Sequence, residues 1–347
     1  MAIVGGFDVH RAQITFDYLD TETGEVVTGQ IRPATRQALK KWLGRFEGQS
    51  EVAFAVEGCT GWRFVVEELV RAGAEPHLAE PADTAERRGR KKRAKTDRAD
   101  ARLLRDLLLQ QRLPESWIPP SHVLEARTLV RAYTALMDER RSWLQRIHAQ
   151  LFHQGAPQVL GLLTANGKTA LAEANLSPAG RQVVDTALTV IGSLEAQILP
   201  LRKQLRALGA RQPAVRALSQ QYGIGPLCGT IIWAELGDCR RFRSADQVVR
   251  FAGLDITVWS SDSRRSPGRL ARQGSPELRW ALFEVAKCAS HQASPDHAYY
   301  VATKARLDGK QATLAVARKI ARRCYHTLRE LDEAWLTTTG IPALEAA

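Results

Sequence analysis

Three short apolar or alternating segments follow one another at the start of the chain, at residues 3–9, 13–19 and 26–31. The turn-forming pair Thr23-Gly24 separates the last two segments. Segments of this length and pattern are typical of a β-meander, because short strands joined by tight turns pair antiparallel. The start of the chain therefore predicts a three-stranded meander.

Helices and strands alternate after the meander. Apolar residues predict a helix over 38–46, a buried strand at 52–56, a helix over 64–70 that ends at Gly73, and a short strand at 77–79. This order of elements is that of the ribonuclease H-like fold. We therefore predict an N-terminal α/β domain with a ribonuclease H-like fold over residues 1–115.

Helical patterns dominate the rest of the chain. A helix is predicted from the N-cap residue Thr96 to Gln110, and prolines at 114, 119 and 120 then mark a boundary. Residues 124–152 and 182–208 have apolar residues at helical spacing. We predict a helical coiled-coil arm over 116–210, although two helices of an ordinary bundle would give the same spacing.

A third unit is predicted over residues 211–335, followed by a tail at 336–347. It begins with Tyr222-Gly223-Ile224-Gly225-Pro226 and an apolar helix, which together indicate a helix-hairpin-helix-like motif in an all-α domain. The backbone amides of Gly223 and Gly225 could face a phosphate, or the turn could serve packing alone. A Ser/Arg/Gly-rich segment at 259–275 separates this motif from helices predicted at 277–290 and 311–331.

The formal net charge of +12 is concentrated in two windows. Residues 86–105 have ten basic against three acidic residues, and residues 240–279 have nine against four. Such a distribution is expected if nucleic acid is bound there, although basic solvated loops would look the same. The candidate nucleic-acid ligands are Arg87, Arg88, Arg90, Lys91, Lys92, Arg93, Lys95, Arg264, Arg265, Arg269 and Arg272.

Several classes of protein are excluded by what the sequence lacks. No uncharged apolar stretch approaches the ~18 residues of a membrane span, and Asp8 comes too early for a secretory leader. The five cysteines form no CxxC pair, and the eight histidines have no zinc-ligand spacing. We therefore expect a cytoplasmic protein without a disulfide framework, a zinc site or a membrane partner.

Four acidic residues are candidates for catalysis. Asp8 lies within an otherwise apolar strand, where an ionised carboxylate is costly unless it meets a cation, and Glu57 ends the next buried strand. Asp97 and Asp100 share one face at the start of a helix. Four such carboxylates would form a site for one or two Mg²⁺ ions that cleaves phosphodiesters. Alternatively, Asp97 and Asp100 only stabilise a helix N-terminus.

Short blocks of sequence resemble the DEDD transposases of bacterial insertion sequences, the insertion-sequence family one-hundred-and-ten. The N-terminal blocks are Gly6-Phe7-Asp8-Val9-His10, Val56-Glu57-Gly58-Cys59-Thr60-Gly61 and Lys95-Thr96-Asp97-Arg98-Ala99-Asp100-Ala101-Arg102. The C-terminal blocks are Gly223-Ile224-Gly225-Pro226, Ala234-Glu235-Leu236-Gly237-Asp238, Arg241-Phe242-Arg243-Ser244-Ala245, Phe251-Ala252-Gly253-Leu254 and Leu278-Arg279. The resemblance covers nearly the whole chain.

The resemblance implies an RNA-guided DNA recombinase. In that family a non-coding guide (bridge) RNA pairs with target and donor DNA, and a RuvC-like N-terminal domain supplies an Asp-Glu-Asp-Asp set that binds Mg²⁺. A serine seven residues after the Ala-Gly-Leu leucine becomes joined to DNA, which corresponds here to Ser261, with Ser260 and Ser263 as neighbouring candidates. The resemblance also implies a homo-oligomer, a dimer or tetramer, in which acids and serine come from different protomers, acting at the bacterial nucleoid.

Two other functions remain open from the residues. A structure-specific endonuclease that resolves DNA junctions would use the four acids and water, without a serine. A non-catalytic helix-hairpin-helix binding protein would use the acids only structurally. Trapping of a covalent protein–DNA adduct distinguishes the recombinase from the junction nuclease.

Overall fold

A computed structural model describes residues 2–49, 51–87, 96–257 and 268–331, and the backbone of residues 260–261 and 264–265. The chain divides into two units, Met1–Ile118 and Pro119–Ala347. The first is a mixed α/β domain and the second is helical. The boundaries predicted at residues 115, 210 and 335 stay predictions.

The first unit contains one five-stranded sheet with the strand order β3-β2-β1-β4-β5. Its strands are β1 (Ile3–Val9), β2 (Ile14–Asp20), β3 (Val26–Ile31), β4 (Val52–Glu57) and β5 (Glu75–Ala79). The predicted meander is confirmed, since β1, β2 and β3 pair antiparallel in chain order. β4 and β5 extend the sheet on the other side of β1 as parallel strands.

Four α-helices lie in the described part of the first unit, and the last of them bears the acidic pair. They are α1 (Arg36–Leu43), α2 (Trp62–Arg71), α3 (Pro81–Arg87) and α4 (Asp97–Leu109). The predicted start of α4 is confirmed, because the Thr96 hydroxyl accepts a hydrogen bond from the Ala99 backbone amide. Helix α3 was not predicted, since its seven residues are too few to show a helical period.

The side chains of β1 alternate between two different environments. Phe7 stacks on Phe54 of β4, with ring centroids 4.5 Å apart, and also contacts Trp42 of α1. On the opposite face, Val4 packs in a smaller apolar cluster with Leu104 and Leu108 of α4. Because strand residues alternate with a period of two, the even positions of β1 face α4.

Helix α4 is held against the sheet by a close approach and a buried ion pair. A Cβ atom at Gly6 would lie 2.2 Å from the Ala101 carbonyl oxygen and 2.7 Å from the Arg105 amide nitrogen, so only glycine fits there. Asp17 of β2 pairs directly with Gly6 across the strands. The Asp17 carboxylate is fully buried and accepts a hydrogen bond from the Arg105 guanidinium. The two contacts fix α4 beside β1.

In the second unit the described residues form helices and one pair of short antiparallel strands. The helices are α5 (Ser121–His153), α6 (Ala165–Glu173), α7 (Pro178–Arg211), α8 (Pro213–Leu218), α9 (Pro226–Leu236), α10 (Ala245–Phe251), α11 (Pro276–Lys287), α12 (His297–Arg306) and α13 (Gly309–Arg329). The two-residue strands β6 (Ser260–Ser261) and β7 (Arg264–Arg265) pair antiparallel. Helices α6, α10 and α12 were not predicted.

The two long helices of the second unit pack against each other and close around α6. Ile147 and Leu151 of α5, Leu171 of α6, and Val184 and Ile191 of α7 belong to one apolar cluster. The Arg140 guanidinium of α5 also forms an ion pair with Glu195 of α7, at 2.8 Å. These residues form a helical hairpin with its own core.

Helix α7 also has the length and composition, though no more than that, to cross a membrane. It contains buried residues at a helical period, among them Val184, Ala187, Ile191, Ile198 and Leu205. The Leu205 carbonyl accepts a hydrogen bond from the Thr230 hydroxyl of α9, at 3.2 Å. This pattern is typical of an amphipathic helix that packs one face against a bundle, and we interpret α7 in that way.

Candidate active site

Carboxylates from β1 and α4 meet at one end of the sheet. Asp8, the second-last residue of β1, and Asp97, the first residue of α4, contribute oxygen atoms to a group that also includes His10. The ligand atoms of the three side chains lie within 4.8 Å of one another. The His10 Nε2 atom lies 3.1 Å from Asp8 Oδ2 and 3.5 Å from Asp97 Oδ1. The structure thus brings together two of the four predicted acids.

The loop between β1 and β2 contributes a second contact to Asp97. The His10 amide donates a hydrogen bond to the Gln13 carbonyl, at 2.9 Å, which closes the loop. The Gln13 side-chain amide donates to Asp97 Oδ2, at 3.1 Å. The Arg32 guanidinium of the neighbouring chain segment donates through Nε to Gln13 Oε1, at 2.9 Å. Both ends of a short loop therefore face the same carboxylate.

Burial and neighbouring charges act on Asp8 in opposite directions. Partial burial raises the pKa of Asp8, His10 lowers it, and the carboxylates of Asp97 and Asp100 raise it again. Asp100 is therefore close enough for its charge to act on Asp8. A bound cation would remove the cost of keeping these carboxylates ionised together.

Glu57 lies at the same end of the sheet but outside the converging group. It is the last residue of β4 and follows Val56, which pairs with Phe7 across the parallel strands. Glu57 therefore follows Val56 in β4 just as Asp8 follows Phe7 in β1. Its carboxylate is not one of the three groups that converge, so its predicted role as a ligand stays a prediction.

The donor set of Asp8, His10 and Asp97 is suited to a divalent metal ion. Carboxylate oxygens are the preferred ligands of hard cations such as Mg²⁺, and imidazole nitrogen binds first-row transition ions. A metal ion held there would activate a hydroxyl group or stabilise a leaving oxygen.

Sequence reasoning missed three residues of this site. His10 belongs to a block of the family resemblance but was assigned no role, and Gln13 and Arg32 were not candidates. The spacing of Asp8 and His10, two residues apart around the end of a strand, is a signal that could have identified His10, because such residues share a face. Nothing in the local sequence indicates that Gln13 contacts Asp97, since 84 positions separate them.

The segment around Ser261 has a well-defined base. The Thr257 amide donates to the Arg269 carbonyl at 2.8 Å, and the Ala271 amide donates to the Asp255 carbonyl at 3.1 Å. The Arg318 guanidinium of α13 donates to the Leu254 carbonyl, at 2.6 Å. We call residues 253–257 and 268–274 the stem.

Two glycines allow the strands of the stem to close. Gly253 has a φ of +64°, and a Cβ atom there would lie 2.2 Å from the Gln273 carbonyl oxygen. Gly274 has a φ of +74°, and its Cβ would lie 1.9 Å from the Phe251 carbonyl oxygen. The Gly of the Ala-Gly-Leu block therefore shapes the base from which the serine hairpin extends.

Ser261 lies in β6 and pairs with Arg264 of β7. The other candidate serine of the hairpin, Ser260, pairs with Arg265, whereas Ser263 lies outside the described residues. The backbone pairing places an arginine opposite each of the two serines.

Only some of the predicted nucleic-acid ligands lie in the part of the chain that the structure describes. Arg87 ends α3, whereas Arg88, Arg90, Lys91, Lys92, Arg93 and Lys95 lie outside the described residues. Arg269 and Arg272 are exposed residues of the stem. Gly223 has a φ of +85° and Gly225 precedes the first turn of α9, so the Gly-x-Gly turn does join two helices, α8 and α9.

Part of the C-terminal resemblance has a structural explanation. The Arg241 guanidinium donates to the Leu236 carbonyl at the end of α9, and Arg127 of α5 donates to the carbonyls of Ala234 and Glu235. The Ser244 hydroxyl accepts from the Gln247 amide and caps α10. Cations at a helix C-terminus and a serine at an N-terminus both satisfy unpaired backbone groups.

Comparisons with known proteins agree with these blocks. Residues 5–153 match a model of the DEDD transposases of IS110, described as Transposase, and residues 215–301 match the model described as Transposase IS116/IS110/IS902 family. A putative transposase y4rJ of Sinorhizobium fredii is 28% identical over 249 residues, 64% of this chain and 62% of the relative. A probable family 20 transposase of Pseudomonas aeruginosa is 27% identical over 200 residues, 56% of this chain and 58% of the relative.

A third similar protein is the transposase for insertion sequence element IS1111A of Coxiella burnetii, 24% identical over 165 residues, 46% of this chain and 43% of the relative. The matched part of the chain thus spans less than two thirds of the length of each of these relatives.

Proposed function

The chain belongs to the IS110 family of transposases, and from that premise we propose that it is a DNA recombinase that cleaves and rejoins DNA strands under the guidance of an RNA. The proposed domains are a RuvC-like catalytic domain, a coiled-coil arm and a C-terminal transposase domain with a helix-hairpin-helix-like motif. The reaction would require a divalent metal ion, Mg²⁺, and a serine nucleophile.

The observation that carries the proposal is the convergence of Asp8 and Asp97 from two core elements. Their oxygen atoms, with His10 Nε2, lie within 4.8 Å of one another. With Glu57 and Asp100 nearby in the fold, these residues fit the Asp-Glu-Asp-Asp set that the family resemblance implies. When bound there, Mg²⁺ would supply Lewis-acid stabilisation of charge on the reacting phosphate oxygens.

In the proposed reaction the Ser261 hydroxyl attacks a phosphodiester. A bond forms between the serine oxygen and phosphorus, the bond to one deoxyribose oxygen breaks, and the serine proton leaves to a base while the deoxyribose oxygen gains one. The ester keeps the energy of the broken bond, so a deoxyribose hydroxyl of another strand can displace the serine without a further energy source. Arg264, Arg265, Arg269 and Arg272 would neutralise the phosphate.

The proposed partners are a non-coding guide RNA together with target and donor DNA. The net charge of the two basic windows supports binding of a polyanion, and Gly223 and Gly225 would contact the backbone of DNA or RNA. Residues 87–95 would hold nucleic acid in the first unit. We place the protein in the bacterial cytoplasm, at the nucleoid.

The decisive experiment is to trap the covalent intermediate. Wild-type protein is incubated with guide RNA, Mg²⁺ and matched labelled DNA, denatured and run on a gel. We expect a labelled strand that migrates with the protein, absent from Ser261→Ala and retained in Ser260→Ala and Ser263→Ala. The substitution Ser261→Ala should leave binding of RNA and DNA intact.

The junction-resolving endonuclease is the second candidate, because the acids alone support cleavage by water. If the wild-type reaction gives cut strands but no protein-linked strand, the proposed function is a nuclease of this kind and not a recombinase. If neither cleavage nor an adduct is observed with correctly paired guide and DNA, both candidates are rejected.

The proposed assembly is a homo-oligomer, and complementation tests it. If the acids and the serine act from different chains, a mixture of Asp97→Asn and Ser261→Ala chains should recover part of the wild-type activity. Mixtures as inactive as either parent would reject this assembly.

A further inference from the structure

His10 lies between the two acidic side chains, where a cation would also lie. Its Nε2 atom is 3.1 Å from Asp8 Oδ2 and 3.5 Å from Asp97 Oδ1. The imidazole side chain is 53% exposed, so it lies at the surface of the site while its Nε2 atom is close to both carboxylates. One nitrogen and two oxygens from three side chains therefore point to a common position.

The orientation of Asp97 is fixed by a residue that is not itself part of the converging group. Gln13 donates to Asp97 Oδ2, at 3.1 Å, and this leaves Oδ1 as the oxygen nearest His10. Arg32 in turn donates to Gln13 Oε1. Because the arginine requires an oxygen on its side, the Gln13 amide must present its NH₂ group to Asp97.

The path of the backbone explains why these contacts occur together. His10 and Gln13 are the two ends of the β1–β2 loop, joined by the hydrogen bond from the His10 amide to the Gln13 carbonyl. Asp8 lies two residues before His10, near the end of β1. The loop thus provides one group on each side of the Asp97 carboxylate.

We propose that His10 Nε2 is a ligand of the metal ion at this site and that Gln13 is a positioning residue for Asp97. The proposal rests on the proposed function only in assuming that Asp8 and Asp97 bind a divalent cation. An N,O,O ligand set accepts a first-row transition ion such as Mn²⁺ in addition to Mg²⁺. With Nε2 bound to the ion, the neutral imidazole has its proton on Nδ1.

The test is pulsed EPR of Mn²⁺ bound to the full-length chain. A directly bound imidazole gives ¹⁴N modulation of the Mn²⁺ signal, and incorporation of ¹⁵N-histidine should convert it to the ¹⁵N pattern without any substitution. His10→Ala and His10→Asn should both lose the modulation. His153→Ala, which removes an exposed histidine of the second unit, is the control and should retain it.

A second measurement separates the ligand from the positioning residue. Gln13→Ala should keep the nitrogen modulation but weaken Mn²⁺ binding about 10- to 100-fold, the usual cost of removing a group that orients a ligand. Gln13→Asn should behave like Gln13→Ala, because its shorter amide does not reach Asp97. Gln13→Glu should lose the contact with Asp97 through repulsion and should bind Mn²⁺ more weakly than wild type.

The outcomes distinguish this inference from the proposed function. Mn²⁺ that binds without nitrogen modulation, or a modulation that persists in His10→Ala, would overturn the role of His10 while the acidic site stands. Wild-type Mn²⁺ affinity in Gln13→Ala would overturn the role of Gln13. Mn²⁺ binding that is absent from the wild type, or unaffected by Asp8→Asn with Asp97→Asn, would overturn both the inference and the proposed metal site.

Discussion

Different kinds of structural element hold the converging acids and the serine. Asp8 and Asp97 stand on a central strand and on a helix whose backbone touches that strand at Gly6. Ser261 stands in a two-residue strand beyond a stem that is joined by backbone hydrogen bonds and held by Arg318. The acids are positioned by the core of their unit, whereas Ser261 belongs to a two-residue strand that pairs only with the two-residue strand β7.

This difference suits the chemistry proposed for each region. Metal ligands require fixed spacing, because a shift of a few tenths of an ångström changes coordination. A nucleophile that attacks DNA, remains attached and is later displaced must follow its phosphate during the reaction. We therefore expect substitutions near the acids to act through the core, and substitutions near the serine to act through the stem.

The largest effect is expected from Asp97→Asn. If Asp97 binds the metal as proposed, its loss should lower the cleavage rate by at least about 10³-fold, since metal assistance lowers the barrier by several kcal/mol. Thermal stability should stay equal or rise, because repulsion with Asp8 and Asp100 is relieved. Asp83→Asn, at the equivalent first turn of α3, is the matched control for single-turnover cleavage. A fully active Asp97→Asn chain would remove this residue from the site.

A large loss of stability is expected from Asp17→Asn. The change removes the buried counter-ion of the Arg105 guanidinium, which is only 11% exposed, and leaves it Asp106, a partner that is 41% exposed, so the cost should be about 3–4 kcal/mol. Denaturant unfolding measures this loss. Replacement of both partners, Asp17→Leu with Arg105→Met, should recover most of the stability. If the double variant is as unstable as the single one, loss of the buried counter-ion is not the cause.

A smaller effect is expected in the stem from Gly274→Ala. The new Cβ would clash with the Phe251 carbonyl oxygen and strain a positive φ, so the free energy of unfolding should fall by about 3 kcal/mol. Gly24→Ala is the control, since its φ is +76° with no atom within 4 Å, and it should cost about 1 kcal/mol. Adduct formation should fall with Gly274→Ala alone. Equal effects of the two changes would show that the stem accommodates the methyl group.

The smallest effect is expected from Asp296→Asn, just before α12. Asp296 is buried and accepts hydrogen bonds from Arg323, at 3.1 and 2.6 Å, and forms an ion pair with Lys319, at 3.0 Å. Both cations lie on α13, the helix whose Arg318 donates a hydrogen bond to the stem. They are 39% and 41% exposed, so water can solvate them after the change, and the loss should be about 2 kcal/mol.

The pH dependence of stability checks the role of Asp296. Burial opposes ionisation of Asp296, but the hydrogen bonds and charges of Arg323 and Lys319 prevail and lower its pKa. A carboxyl group with a depressed pKa in the folded state stabilises above its unfolded pKa, near 4, and loses this contribution as the pH falls further. Between about pH 5 and 3, wild type should therefore lose more stability than Asp296→Asn. Parallel curves would contradict this role.

The sequence predicted those features that depend on local pattern. The five strands, the Thr96 cap of α4 and the apolar helix α9 all follow from alternation, capping residues or helical spacing, and they are confirmed. Helix α6 was missed because Gly167, together with the glycines and proline before it, is typical of a loop. In the structure a Cβ atom at Gly167 would lie 2.1 Å from the Gly161 carbonyl oxygen, so glycine is needed there for packing within a helix.

Features that depend on distant partners could not be predicted. The Asp17–Arg105 pair joins residues 88 positions apart, and neither residue differs in its local sequence from an exposed one. The contact of Gln13 with Asp97 has the same origin. Asp8 and Asp97 could be chosen as candidates because a carboxylate in an apolar strand is unusual, but their convergence requires the tertiary structure.

Contact of α4 with the sheet has a consequence for synthesis of the protein. Val4, Ala53, Ala55 and Ala79 lie under Leu104 and Leu108, so one face of the sheet is uncovered until residues 97–109 have left the ribosome. Translation adds about 5–20 residues per second, so several seconds pass between the synthesis of β1 and that of α4. The nascent chain therefore exposes an apolar sheet face to chaperones and to other nascent chains, and Asp8 acquires its helical partner only after the fifth strand has been made.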